Sequence, residues 1–239
     1  MQQRRDAWGY LDALGVDIAL VQEAVPPTDA RPMGWQSVPA HDEPELWRID
    51  PSRGWSSAIV SYGHPLKEVP TVRLGDPLPA GGYWLSHPGA LRLAEVGIAE
   101  RPSLVASMYG VMVDKFAITS VNRHLSDLTP LVYSGKWKEI VVGGDLNISP
   151  QLPAPWRRHH ELVIDRFHAL GFEDCLGRFH DGYQQTFFRK NAKPYQDDWI
   201  FAKGLSQELC GCEALNRPDK RLLSEPYSEH CPVVATFEF

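Results

Sequence analysis

Four short apolar segments of this chain end or begin on acidic, amide or imidazole side chains, and this pattern constrains the fold most strongly. Runs of this length that are rich in β-branched and aromatic residues predict buried strands. A carboxylate buried near a strand end costs several kcal/mol unless a partner or a cation offsets its charge. The chain is therefore expected to form β-sheets whose strand ends carry a set of polar groups. The segments are ALVQEA with Glu23, VVGGDLN with Asp145 and Asn147, QDDWIF with Asp198, and SEHCPVVA with Glu229 and His230.

Helical patterns lie between these strands. Residues 4–14 have apolar side chains at helical spacing and are followed by Gly15, which is typical of a helix end. Residues 119–133 and 159–170 are amphipathic in the same way. Because strands outnumber helices and the helices are inserted between them, we predict two packed sheets with helices outside, an α+β fold. Further strands are expected in WSSAIVSYG, in SLVASMYGVMV, and around residues 186–188, 199–202 and 233–237.

Composition limits the remaining possibilities. The chain has 239 residues, 43% of them hydrophobic, and no linker or internal repeat, so a single domain over residues 1–239 is expected. Its apolar runs are too short to insert into a membrane, and its four unevenly spaced cysteines are typical of a reduced, cytoplasmic protein. A net charge of −6 argues against a broad basic surface for nucleic acid. It leaves room for a local phosphate site, above all where a metal cation supplies positive charge.

Taken singly, each polar strand end has a simpler explanation as a solvated acid, a turn cap or a loop histidine. Together and in this order they resemble the endonuclease/exonuclease/phosphatase superfamily, which includes deoxyribonuclease I and the exonuclease III-type repair nucleases. The resemblance spans residues 16–239. It implies a four-layered α/β/β/α sandwich of two mostly antiparallel sheets flanked by helices, and Mg²⁺- or Mn²⁺-assisted phosphoester hydrolysis. The motifs are Gln22-Glu23, Gly144-Asp145-Leu146-Asn147, Asp198-Trp199-Ile200 and Ser228-Glu229-His230-Cys231-Pro232.

The resemblance implies a role for each carboxylate and amide of the set. Glu23 would bind the metal, and Glu229 would contribute directly or through water, since hard divalent cations prefer oxygen ligands and keep several waters. Asp145 would orient or deprotonate the attacking water. Asn147 would donate a hydrogen bond to a phosphate oxygen without adding negative charge beside it.

The resemblance also implies an imidazole at the site. His230 would contact the phosphate or transfer protons, and Asp198 would orient it, fix its tautomer and raise its basicity. Asp197 is the alternative partner. We prefer Asp198 because it directly precedes the aromatic and apolar strand.

One further position has two candidates. Some family members place a tyrosine on the strand before Gly-Asp-Leu-Asn, and Tyr109 fits that place. Others place a histidine there, which His124 would supply. His124 lies in a predicted helix and close to Asp145 in sequence, so Tyr109 is preferred. Arg123 and His124 remain candidates for contact with the phosphate or the substrate.

Two features depart from the family pattern. The family's domain opens with a strand that carries an asparagine next to the metal, whereas this chain begins at what should be the following helix. We therefore expect that first strand to be missing and the protein to start upstream of Met1. Glu229 stands where the family usually has aspartate, and a misplacement near 1 Å can lower a rate about 100-fold.

These features give one leading function and two alternatives. The leading expectation is a divalent-metal-dependent phosphodiesterase, and a nuclease within that class, with nucleic acid among its candidate substrates. The first alternative is a phosphatase or phosphodiesterase that acts on a small molecule or a lipid head group. The second is a catalytically weakened binding module that retains the fold, which the missing strand and Glu229 both favour.

Overall fold

The computed structural model describes residues 5–25, 35–40, 42–49, 53–98, 101–188, 194–216 and 228–239. The helices are α1 (Arg5–Ala13), α2 (Ile118–Tyr133), α3 (Trp156–Ala169) and α4 (Cys175–Phe179), with a 3₁₀ turn at Pro44–Leu46. The strands are β1 (Ile18–Ala24), β2 (Gln36–Val38), β3 (Ser56–Ser61), β4 (Leu66–Glu68), β5 (Thr71–Arg73), β6 (Tyr83–Leu85), β7 (Leu91–Ile98), β8 (Arg101–Met108), β9 (Ile140–Asp145), β10 (Glu173–Asp174), β11 (Asp198–Lys203), β12 (Leu209–Ala214) and β13 (Val233–Phe237).

The largest sheet has six strands in the order β10-β11-β9-β8-β7-β4. Neighbouring strands run antiparallel, except that β8 and β9 run parallel. Helix α2 connects β8 to β9, since two parallel strands need a long crossover rather than a tight turn. The pairing of β9 with β11 places Asp145 opposite Asp198. This register sets both carboxylates at one edge of the sheet.

A second sheet, β1-β3-β2, packs face to face on the six-stranded sheet. Its strands are antiparallel, and β1 and β3 contact strands β7, β8 and β9. Between the sheets lie the buried side chains of Ile59, Val96 and Val105, with Leu20 packed against them. The end of β1 is thereby brought toward the edge that carries Asp145.

Helices cover the outer faces of both sheets. On the three-stranded sheet, Trp8 of α1 packs with Val21 and Val60. On the six-stranded sheet, α2 and α3 contribute Leu125 and Phe167 to the largest buried cluster. The layer order is helix, sheet, sheet, helix, which confirms the predicted four-layered α+β fold.

Two smaller pairs of strands complete the described structure. Strands β12 and β13 are antiparallel and pack with α4 around the buried Cys175 and Cys212. All four cysteines are free thiols. Strands β5 and β6 are parallel, with Arg73 opposite Leu85.

Most of the predicted helices and strands are confirmed, but one predicted strand is not formed, and helix α4 and strands β2, β4–β7, β10 and β12 are additional. The segment 186–188 is not a strand, because Phe187 makes only isolated bridges to Tyr195 and His230. Conversely, β7 is a long, buried strand that the sequence pattern does not predict. The single domain and the missing first strand stay predictions. Among the described residues, no helix has both the length and the apolar surface needed to cross a membrane.

Candidate active site

Strands β9 and β11 bring two carboxylates together. Asp145 is the last residue of β9, Asp198 is the first residue of β11, and the antiparallel register sets them opposite each other. Directly opposed residues have Cβ atoms about 5 Å apart, so two like charges there repel each other. Each side chain is only 14% exposed, which leaves little water to screen that repulsion. The pair therefore needs a positive partner.

His230 supplies a positive partner. Its Nδ1 donates to Oδ2 of Asp198 at 2.8 Å, while its Nε2 lies 3.9 Å from Oδ2 of Asp145. The backbone N–H of His230 donates to Oγ of Ser228 at 3.0 Å, which helps to fix this loop. Because Nδ1 is committed to a carboxylate, the ring orientation is set and Nε2 faces Asp145. Asp198, and not Asp197, makes this hydrogen bond.

The Gly-Asp-Leu-Asn segment folds back on Asp145. Asn147 has a left-handed φ of 51°, and its backbone N–H donates to Oδ1 of Asp145 at 3.0 Å. Its side-chain amide donates to the carbonyl of Gly110 at 3.1 Å and lies 3.3 Å from Oδ2 of Asp145. Gly144 is required here, since its φ is 143° and a Cβ would lie 2.2 Å from the carbonyl oxygen of Met108. This turn fixes the orientation of the Asp145 carboxylate.

Glu23 approaches the same region from the other sheet. The register between β1 and β3 shifts at the end of β1, where Glu23 has a φ of 49°. Such irregularities re-aim side chains and are common beside active sites. The hydroxyl of Tyr109, just after β8, donates to Oε1 of Glu23 at 3.0 Å. The neighbouring Gln22 donates from its amide to Oγ of Ser107 at 3.0 Å, which ties β1 to β8.

Burial and mutual repulsion control the charge state of this cluster. Burial raises the pKa of Asp145 well above its ordinary value; His230 opposes this effect, and Asp198 and Asp197 reinforce it. Burial, with the charge of Asp198, also raises the pKa of Asp197 to about 7. For His230, burial alone would lower the pKa, but Asp198, Asp145 and Asp197 raise it to about 10. A single imidazolium thus faces several carboxyl groups.

Tyr109 links Glu23 to this cluster. Burial raises the pKa of Tyr109, and the charges of Glu23 and Asp145 raise it further. The phenol therefore stays protonated at neutral pH and acts as a hydrogen-bond donor. Both carboxylates thus act on the same hydroxyl, and Glu23 accepts its hydrogen bond.

The donor set fits a hard divalent cation. Ligand atoms of Asp145, Asp198 and His230 lie within 4.8 Å of one another. However, His230 is committed to Asp198 and protonated, and a ring nitrogen that carries a proton cannot bind a metal. Glu23 and Asp145 instead offer oxygen atoms, which Mg²⁺ and Mn²⁺ prefer. A cation on the Glu23 side would also offset the excess negative charge.

Three other predicted residues lie outside this cluster. The side chain of Glu229 is exposed, and its backbone carbonyl accepts a hydrogen bond from the N–H of Phe188 at 2.7 Å. Arg123 is exposed on α2. His124 is fully buried, with Nε2 3.2 Å from the carbonyl of Tyr109. It has no exposed surface with which to contact a substrate, so in this position it supports the backbone of Tyr109.

The structure adds two supporting residues that the sequence pattern does not reveal. The buried Thr186 accepts the backbone N–H groups of Asp197 and Asp198 on its Oγ1, at 3.0 and 3.1 Å. Oε1 of Gln151 accepts the backbone N–H of Gln196 at 2.6 Å. Both residues hold the chain just before β11, and a single Thr or Gln in a loop carries no signal for such a role.

Comparison with solved structures identifies the class of fold. An AP endonuclease from Archaeoglobus fulgidus is 20% identical, with a TM-score of 0.62 over 97% of this chain and 92% of that one. The 3′ phosphatase NExo from Neisseria, bound to product DNA hairpin, is 20% identical, with a TM-score of 0.64 over 98% and 93%. An endonuclease/exonuclease/phosphatase family protein from Leptotrichia buccalis is 11% identical, with a TM-score of 0.53 over 100% and 80%.

The chain therefore has the fold of the endonuclease/exonuclease/phosphatase superfamily, as the sequence motifs predict. The sequence matches no protein-family model and no curated protein. At these levels of identity the likeness establishes the fold, and the chemistry rests on the residues of the site.

Proposed function

We propose that this protein is a divalent-metal-dependent phosphoester hydrolase that cleaves phosphodiesters by attack of water. One observation carries the proposal: the Asp198–His230 pair, with its 2.8 Å hydrogen bond, faces Asp145 across 3.9 Å. That separation is too long for a direct hydrogen bond. An oxygen atom beside the gap would be within hydrogen-bond distance of both groups. A water or a phosphate oxygen suits this position.

Each residue around the gap has its own proposed role in hydrolysis. Asp145, oriented by the backbone and amide of Asn147, accepts a proton from the attacking water or holds that water in place. His230, held by Asp198, donates from Nε2 to a phosphate oxygen and offsets its negative charge. The amide of Asn147, which donates to Gly110 and to Asp145 in this structure, would release one of these acceptors to donate to the phosphate without adding charge.

Glu23 would bind the cation. The part of the cluster that contains Asp145 would form the rest of the cation site. When bound, Mg²⁺ or Mn²⁺ polarises the scissile phosphate and stabilises charge on the leaving oxygen. The Tyr109 hydroxyl fixes one oxygen of Glu23. Glu229 would contribute through water, since its side chain is exposed.

The structural neighbours support nucleic acid as the substrate class. One is named an AP endonuclease and another is a 3′ phosphatase bound to product DNA hairpin. A weakened binding module remains the rival proposal, supported by the exposed Glu229. Such a module would tolerate glutamate in place of aspartate at this position.

Hydrolysis of bis(p-nitrophenyl) phosphate under titration with Mg²⁺ and Mn²⁺ tests the proposal. We expect metal-dependent turnover that Asp145→Ala lowers by at least about 100-fold. Asp165→Ala, an exposed carboxylate on α3, is the matched control and should keep full activity. Turnover that persists in Asp145→Ala would overturn the proposed role of Asp145, and no turnover with either metal in the folded protein would favour the binding module.

A further inference from the structure

Basic side chains gather beside the candidate active site, on the side of Tyr109. They are Arg53, Arg73, Arg123 and His87, which we call the arginine cluster. The chain as a whole has a net charge of −6, so a local group of three arginines runs against its overall charge. Such a group beside a catalytic centre attracts anions locally without making the protein basic.

Ring contacts connect Arg53 to the site. Its guanidinium carbon lies 5.6 Å from the centre of the Trp55 ring. That ring meets the ring of Tyr109 edge to face at 5.0 Å. The Tyr109 hydroxyl in turn donates to Glu23 at 3.0 Å. A series of contacts through two aromatic side chains thus connects Arg53 to the proposed metal ligand.

The turn that carries His87 is fixed next to the same tyrosine. Both oxygens of Asp127 accept hydrogen bonds from Ser86, one from the backbone N–H at 2.7 Å and one from the hydroxyl at 3.1 Å. The ring of His87 lies 5.7 Å from the ring of buried His124, which contacts the carbonyl of Tyr109. The position of His87 is therefore tied to the active-site strand end.

The other two arginines flank this turn. Arg73 pairs with Leu85 in the β5–β6 ladder, directly before the turn. Arg123 precedes His124 on α2. Both side chains are exposed, and neither forms an ion pair with a residue in the described ranges.

The positive charges of the arginine cluster act on His87. Burial lowers the pKa of His87, and repulsion from Arg123, Arg73 and Arg53 lowers it further, against the effect of Asp127. Three guanidinium groups and one carboxylate, that of Asp127, act on His87, so its surroundings favour an anion. The planar guanidinium offers paired donors that match phosphate oxygens.

We propose that the arginine cluster is a second phosphate-binding subsite, which takes a phosphate flanking the scissile one. The substrate is then a nucleic acid strand, with several phosphates in a row, and not an isolated phosphoester. This inference rests on the proposed function. It assigns substrate selection to residues outside the hydrolytic centre.

The test compares two substrates across variants of the full chain. One is a labelled oligonucleotide of about twelve nucleotides, as DNA and as RNA, and the other is bis(p-nitrophenyl) phosphate. In Arg73→Gln/Arg123→Gln, the ratio of kcat/KM for the oligonucleotide to that for the small diester should fall at least about tenfold. The slope of log kcat/KM against log salt should flatten by about 0.7–0.9 for each phosphate that the variant no longer binds.

Arg158→Gln, an exposed arginine on α3, is the control, and should leave both the ratio and the salt slope unchanged. An unchanged ratio and slope in the double variant would overturn the subsite. If the small diester is not hydrolysed with either metal, the proposed function fails by itself. Binding of the oligonucleotide, measured by fluorescence anisotropy, then tests the subsite: a tenfold or greater loss in the double variant supports it, and unchanged binding overturns it.

Discussion

Asp198 accepts a hydrogen bond from Nδ1 of His230 at 2.8 Å, and Nε2 of the same ring lies 3.9 Å from Asp145. The two ring nitrogens therefore have different tasks. One is anchored to a carboxylate, and the other is presented to the gap where a substrate oxygen would bind. In the proposed mechanism a histidine is useful only in one orientation, so Asp198 would determine whether His230 can act.

This pairing predicts a large effect of Asp198→Asn. The amide cannot stabilise the protonated imidazole, and its NH₂ group competes for the same ring nitrogen. We expect kcat for bis(p-nitrophenyl) phosphate to fall by about 100-fold or more, with KM changed less than about threefold. Steady-state kinetics at saturating metal measure both constants.

Asp197→Asn is the matched control, because Asp197 is adjacent in sequence but makes no hydrogen bond to His230. Its kcat should fall far less than that of Asp198→Asn. Equal losses in the two variants would show that the cluster responds to total charge and not to the orientation of His230.

A second prediction concerns the hydroxyl of Tyr109. Tyr109→Phe removes the hydrogen bond to Glu23 and leaves the ring that packs against Trp55. A lost hydrogen bond to a charged group lowers kcat/KM about tenfold, and the metal concentration for half-maximal activity should rise. Metal titrations of activity measure this shift. Tyr133→Phe, at an exposed position of α2, should match the wild type; a normal metal titration in Tyr109→Phe would separate Tyr109 from the metal site.

The sequence predicts the strands whose apolar residues are uninterrupted, and it fails where charged residues are buried. β9 and β11 follow from their β-branched and aromatic runs. β7 is not predicted because Arg92 lies within it. The Arg92 side chain is only 7% exposed, and its guanidinium donates a hydrogen bond to the carbonyl of Leu46. A charge in the middle of a strand argues for an exposed segment, and only the folded chain supplies its partner.

The candidate site, like the fold, can be predicted from the sequence only in part. Asp145, Asp198 and His230 follow from motif position, and the structure brings them together. Thr186 cannot be predicted in the same way, because its partners are backbone N–H groups whose position depends on a loop. Glu229 has a matching position in sequence, yet its side chain is exposed, since only its backbone is held by Phe188.

A third prediction tests the turn after β9. Gly144→Ala would place a methyl group 2.2 Å from the carbonyl oxygen of Met108, at a φ of 143° that other residues rarely adopt. We expect the free energy of unfolding to fall by at least about 2 kcal/mol, measured by urea denaturation. Activity should fall by more than the loss of folded protein accounts for, because the substitution moves the Asp145 carboxylate. Gly63→Ala has open space around it and an unstrained backbone, so its stability should change by less than about 0.5 kcal/mol.

The last prediction concerns the acid sensitivity of the fold, through two buried histidines. Burial and the neighbouring His87 lower the pKa of His124 to about 3, and burial and His159 lower that of His160 to about 4. Both side chains are at most 1% exposed. In the unfolded chain the pKa of each is about 6.5, so between these values the unfolded state binds protons that the folded state does not. Stability is therefore complete above about pH 6.5 and is lost as the pH falls below it.

Each histidine should contribute a slope of about 1 kcal/mol per pH unit between pH 6 and pH 5. Urea denaturation in EDTA, which keeps the metal state constant, measures the free energy of unfolding at several pH values. His124→Gln keeps a donor for the Tyr109 carbonyl but does not titrate, so its slope should be shallower than that of the wild type by about that amount. His64→Gln, at a less buried position, controls for the loss of a histidine, and an equal slope in His124→Gln and the wild type would mean that His124 takes up its proton in the folded state.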